Sequence, residues 1–300
     1  MIALAIALML QTPEDLFGYT SSDGSLEISG LSKGYEFSYR PQGAITASGS
    51  GSPALIKLNS SGLTIRANRL SGTAEPLDKK TYFLKRSQTA ETSQFIMDSA
   101  IARAFREKSR TVAPTTTETE TNRFELDSDR TDYEGSANEG ELKIPSALML
   151  TSHGEGTRAI QKNNLPMTQS YLQDLSLHAS SGRMTVDPRP NAGIHAIKSG
   201  EFEGPVTFSS IRTETIKEEK SKSRYTLNGH CDRLRIVTDA TGETIFAEGN
   251  VDFVITDDMG TLHLGGKQVR FRFDSSLEPV EAEGLGAPFK TTYPIKVKQR

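Results

Sequence analysis

The histidines, the single cysteine and a run of aspartates are the residues whose chemistry must be asked about first. His153, His178, His195, His230 and His263 never fall at a spacing that sets two imidazoles around one metal ion. His230 and Cys231 are neighbours, and on a strand neighbours point to opposite faces. Asp127, Asp129 and Asp132 hint at an oxygen cage for calcium, but the glycine and closing glutamate such a loop needs are misplaced. They are read as a solvated acidic turn. No GxSxG, HExxH, CxxC or Walker A sequence occurs. Gly49-Ser50-Gly51-Ser52 is read as a flexible turn, because no helical pattern follows it to hold a dinucleotide. The chain is therefore read as no enzyme, with no metal and no cofactor called for.

What remains is the chemistry of apolar surface. Leu234, Ile236, Phe246, Val251, Phe253, Ile255, Leu262, Leu264, Val269, Phe271 and Phe273 sit in successive short runs of the C-terminal third. Val251, Phe253 and Ile255 make one face of their segment wholly apolar, and Val269, Phe271 and Phe273 do the same opposite Arg270 and Arg272. Period-two alternation is the signature of a strand with one buried and one wetted face. These positions are expected to line a lipid groove.

The elements that would carry them are strands. Asn228-Gly229, Thr241-Gly242, Glu248-Gly249-Asn250 and Met259-Gly260 punctuate the C-terminal runs, which makes an antiparallel meander. Near the N-terminus, Leu26–Ile28, Tyr35–Tyr39, Ile56–Leu58 and Leu63–Ile65 read as short strands between turns at Asp23-Gly24, Lys33-Gly34, Ser61-Gly62 and Ser71-Gly72. Gln94 to Lys108 fits a helix or a strand, and the strand is favoured by its β-like neighbours. The Thr/Glu tract from Ala113 to Asn122 reads as a solvated loop, and the charged patch from Glu214 to Arg224 as an exposed hairpin end. A weak repeat links Gly204-Pro205-Val206-Thr207-Phe208 with Gly249-Asn250-Val251-Asp252-Phe253, and Ala247-Glu248-Gly249 with Ala282-Glu283-Gly284.

Composition narrows the classes further. Of 300 residues only 35% are hydrophobic, tryptophan is absent, and the net charge is −3. A nearly balanced surface lacks the basic stripe that nucleic acid demands. No apolar run approaches the roughly 20 residues of a membrane helix, and one cysteine excludes a disulfide framework. Met1–Leu10 is an apolar run followed by polar Gln11-Thr12-Pro13, and reads as a signal segment for export. The alternative is a buried N-terminal strand or helix turn. The resulting division is a signal segment (1–13), an N-terminal β region (14–110), the Thr/Glu loop (111–123) and a C-terminal β region (124–300).

The stretch from Leu227 to Phe273, and above all Asp232-x-Leu234 followed by Ala247-Glu248-Gly249-Asn250-Val251, resembles the OstA-like family of periplasmic lipopolysaccharide-transport proteins. Residues 1–150 and the charged insertions depart from the family pattern. The resemblance implies an all-β fold, an open antiparallel β-jelly roll of two sheets meeting in a V, with long exposed hairpins. It also implies that acyl chains of a lipid such as lipopolysaccharide lie in the trough, and that copies or relatives dock edge to edge across the periplasm. Leu26–Tyr39 and Val269–Phe273 are the strands expected at those edges. A β-sandwich scaffold or adhesive protein with a closed, dry core, and an enzyme acting on envelope polysaccharide, produce similar alternation and stay open at this point.

Overall fold

The computed structural model describes residues 17–39, 44–59, 62–76, 82–105, 116–135, 139–162, 165–187, 197–239, 242–258, 260–274 and 279–285. The expected signal segment lies outside them, as do His195 and the first part of the Thr/Glu tract. Every element is a strand: β1 (Phe17–Thr20), β2 (Leu26–Tyr39), β3 (Ile45–Leu58), β4 (Leu63–Pro76), β5 (Tyr82–Phe105), β6 (Thr116–Gly135), β7 (Gly140–Ile144) and β8 (Leu148–Lys162). The second half holds β9 (Leu165–Ala179), β10 (Ser181–Val186), β11 (Ile197–Ile216), β12 (Ser221–Asp239), β13 (Gly242–Asp257), β14 (Gly260–Asp274) and β15 (Pro279–Leu285). All pairings are antiparallel; β1 to β6 and β11 to β15 follow chain order as a meander does, while between them β7 pairs β10, β8 pairs β6 and β9, and β9 pairs β11. The fold is all-β and two-layered, of the jelly-roll type.

The strands are longer than their alternating runs suggest, because most of them cross both layers. Register shifts interrupt the ladders at Ser50/Ala54, Arg69/Gly72, Glu203/Val206, His230/Arg233 and Glu248/Val251. Between β6 and β11 the same line becomes an interruption between strands, at residues 145–147 and at Ser180. Hence β6 pairs β8 by its first part and β7 by its last, while β11 pairs β10 and then β9. Bulges bend strands and sharpen their twist, so a row of them folds the sheet over on itself. Phe253 lies beyond the shift in β13 and Phe271 pairs Ile245 before it, yet their rings meet edge-on at 5.1 Å. That contact joins the two layers.

The repeat seen in the sequence is this corner. Gly204 and Gly249 have φ of 87° and 70°, a left-handed backbone that side chains strain to adopt. A Cβ at Gly204 would collide with Ser180, and one at Gly249 with the Asp232 carboxylate. Asn250, also left-handed, donates from Nδ2 to Asp232 Oδ2 at 2.8 Å. The Val and Phe that follow each corner turn inward and are buried: Val206, Phe208, Val251 and Phe253.

Several expectations are corrected. Lys33-Gly34, Ser71-Gly72, Asn228-Gly229 and Glu248-Gly249-Asn250 are not hairpin turns but lie inside β2, β4, β12 and β13. A glycine that permits a turn equally permits a bulge or a close approach; Gly229, for one, sits opposite Phe253 and leaves room for its ring. The tract read as a loop is strand from Thr116, since β-branched Thr alternating with Glu suits a ladder. Asp127, Asp129 and Asp132 likewise lie in β6 and form no turn of their own. The edge expected at Val269–Phe273 is covered by β15, and that at Leu26–Tyr39 is covered by β1 only over Glu27–Leu31; β1 and β15 end the sheet among the described residues. The segment from Gln94 to Phe105 belongs to β5, as the strand reading holds. The hairpin end expected near Glu214–Arg224 is present between β11 and β12.

The corner makes a stability prediction. Gly249→Ala forces both a strained φ and a collision, and is expected to cost about 2–3 kcal/mol. Gly18→Ala meets only Ile28 O at 3.9 Å and is expected to stay within about 0.5 kcal/mol. Urea melts of the two variants check the contrast.

Candidate functional site: an apolar cavity between the layers

Seven of the expected groove positions, Leu234, Ile236, Val251, Phe253, Leu264, Val269 and Phe271, face inward and are at most 4% exposed. Six of them are dry core, and Phe271, though 2% exposed, also borders the cavity described next. Ile255, Leu262 and Phe273 also face inward but are only partly buried, because they line a cavity of about 390 Å³. Leu175, Phe208, Leu227, Ile245 and Phe271 complete its apolar wall, with one layer contributing β9, β11, β12, the end of β13 and the start of β14, and the other the start of β13, the end of β14 and β15. Phe246 does not belong. It pairs Arg235 on the outer face, where the guanidinium lies 4.4 Å from its ring centre. Counting back in twos from Val251 leads to Ala247 and Ile245, both buried, and leaves Phe246 outside. Parity along the strand, not the size of the side chain, sets its face.

Away from the fold line the inner face turns polar. Gln173, Arg212, Tyr225 and Asp257 rim the cavity on one layer and Glu243 on the other. Arg212 is 4% exposed and Glu214 6%, a pair buried on the strand's inward side. Arg212 Nε donates to Glu214 Oε1 at 2.6 Å and its Nη1 donates to Gln173 Oε1 at 3.2 Å. Gln169 Nε2 donates to Glu214 Oε2 at 2.7 Å, and Arg158 Nε to Gln169 Oε1 at 2.6 Å. Arg212 also lies 4.7 Å from the Tyr171 ring centre. Buried charges persist only when paired and hydrogen-bonded in this way. Burial, with Glu120 nearby, holds the Tyr171 phenol well above its usual range.

Glu243 is different. It pairs Phe273 across β13 and β14, so it points into the cavity with that ring. Burial alone pushes its carboxyl up to about 7, because a charge beside apolar walls loses its water. The Cys231 thiol is raised to about 11 by burial, which makes it a poor nucleophile. His153 Nδ1 and Asp174 Oδ1 lie 2.6 Å apart on the outer face, each side chain 55% exposed; a pair so open to water contributes little. Among the described residues no group of three His, Cys, Asp or Glu side chains is placed to hold a metal ion.

The polar rim had no periodic signal to find it by. Glu243, Arg212, Gln173 and Tyr225 come from four strands and meet only because the sheet folds. No family model matches the chain, and neither curated proteins nor solved structures yield a match.

Two measurements test this geometry. Phe271→Ala removes a buried ring that meets Phe253 across the layers and is expected to cost about 3–5 kcal/mol, whereas Phe246→Ala removes an outer-face contact worth about 1 kcal/mol; thermal melts separate them. The second uses pH. Glu243 titrates near 4.5 in the unfolded chain and near 7 when folded. Within that window the folded state keeps a proton the unfolded state has lost, so this group's contribution to stability falls as pH rises. Glu243→Gln is expected to stabilise the protein by on the order of 2 kcal/mol at about pH 8 and to change nothing near pH 4. Urea melts at both pH values give the difference.

Proposed function

We propose that this protein is a non-catalytic lipid-binding protein of the cell envelope, holding an acyl chain of an amphiphile between its two layers. The observation that carries the reading is the cavity: about 390 Å³, walled by Leu175, Leu227, Ile255, Leu262 and Phe273 and rimmed by polar groups. That volume lies in the range of small-molecule sites, about 300–1,000 Å³. Apolar surface left open to water is tolerated chiefly where a ligand or partner covers it. The resemblance of residues 227–273 to OstA-like proteins supports a lipopolysaccharide-like cargo, export to the periplasm and docking through terminal strands. In the described residues those strands are β1 and β15.

A closed scaffold is the competing reading, and one observation favours it. Leu26, Ile28, Leu31, Ile56, Ile65 and Leu70 are no more than 2% exposed, so the N-terminal part of the interior is dry. The two readings separate at the cavity wall. Ile255→Asp and Leu262→Asp put a carboxylate where water can reach it, so both variants are expected to fold. Titration of each with an uncharged fluorescent acyl probe is expected to show at least about tenfold weaker binding than the unaltered protein. Phe253→Asp, by contrast, buries an unpaired charge and is expected to unfold the domain. Folded wall variants that bind the probe normally, or an unaltered protein that never binds it, would sink the lipid reading.

A further inference from the structure

The cavity has an uneven charge balance. Arg212 is the cation on its rim; Glu214 at 2.6 Å meets its charge and the Tyr171 ring covers it, although its buried Nη2 makes no hydrogen bond. Glu281 reaches the same rim, but its carboxylate bonds Arg270 at 3.4 Å on the outer face. Asp257 has partners of its own, its Oδ1 accepting from the Gly260 amide at 2.9 Å. Tyr225 is a neutral hydroxyl. Glu243, on the opposite layer, has no hydrogen-bond or ion-pair partner among the described residues, and stands beside Phe273 and Ile245 on the inward face. The charge left uncompensated inside the cavity is therefore negative.

A lone carboxylate beside an apolar wall is costly unless something pairs with it. The partner that fits is a cation carried on an apolar chain. We propose that the cavity selects amphiphiles with a protonated amine head, with Glu243 as the counter-charge, while the chain lies along Leu227, Ile255, Leu262 and Phe271. This rests on the lipid-binding reading and narrows it, since a head bearing only phosphate or carboxylate would meet like charge at the same point. Burial favours the neutral form of Glu243 in the empty site, and an ammonium group drawn into contact restores the ionised form.

The test is displacement of the uncharged fluorescent acyl probe from the full chain at about pH 8, where Glu243 is mostly ionised. The competitors are dodecylamine, dodecanol and dodecanoic acid, which share one chain and differ in the head. Dodecylamine is expected to displace the probe at a concentration at least about tenfold below that of dodecanoic acid, as one ion pair in a partly dry site allows. In Glu243→Gln, which keeps the fold, that gap is expected to close while dodecanol is unaffected. Equal or tighter binding of the acid would hand the head group to Arg212 and overturn the proposal, and so would a gap that survives in Glu243→Gln. Probe binding that none of the three competes for defeats the amine assignment and leaves the lipid reading standing. Failure of the probe itself to bind removes both.

Discussion

The structure depends on one constraint: each long strand must bend where its neighbours bend. Antiparallel ladders couple the strands through every backbone hydrogen bond, so a bulge in one strand is tolerated best when the next yields at the same height. The means differ along the line. Gly51 and Pro53 lie within the shift in β3, Ser146 accepts the Arg130 amide where β7 gives way to β8, and Gly249 with Asn250 turns β13. Together they convert one sheet into two facing layers. The apolar faces of the same strands then bury one another, and most of the favourable free energy of folding comes from that burial.

Polarity along the inner face follows from the bend. Residues next to the fold line, such as Val251, Ala247, Leu234 and Val269, are pressed together from both layers and exclude water. Further out the layers have less to hold them together, and the positions grow mixed: Ile255 and Leu262, then Asp257, Tyr225 and Glu243. Beyond these, the network of Arg158, Gln169, Arg212 and Glu214 pairs charges that would be prohibitive alone. On the outer face, ladders such as Arg233 with Glu203 and Glu248 keep the surface wet and contribute little each.

One alternating pattern thus serves two ends. In β2 to β4 the inward side chains meet their counterparts fully and leave a dry interior. In β11 to β14 the same kind of pattern stops short of closing, and a cavity results. A carrier and a scaffold differ by how far two faces approach, which is a property of the fold line and of the bulk that fills it. Glu243 marks the difference, because a carboxylate at that position weakens a closed core and equips an open one.

The sequence by itself determined the fold class, the antiparallel order and nearly all of the inward face. Alternation at Val251, Phe253 and Ile255, or at Val269, Phe271 and Phe273, is a local property, set by the two-residue repeat of an extended chain. Phe246 shows the limit even there, since parity rather than bulk decides the face. It also carried the corner, visible as the Gly204 and Gly249 repeat, but not its meaning: a glycine permits a turn, a bulge or a close contact, and only neighbouring strands decide which. The length of the strands, the true edges β1 and β15, and the meeting of Glu243 with Arg212, Gln173 and Tyr225 were decided by tertiary structure alone. Those side chains lie on different strands, and what brings them to one rim is the cooperative folding of the whole sheet, which no local spacing records.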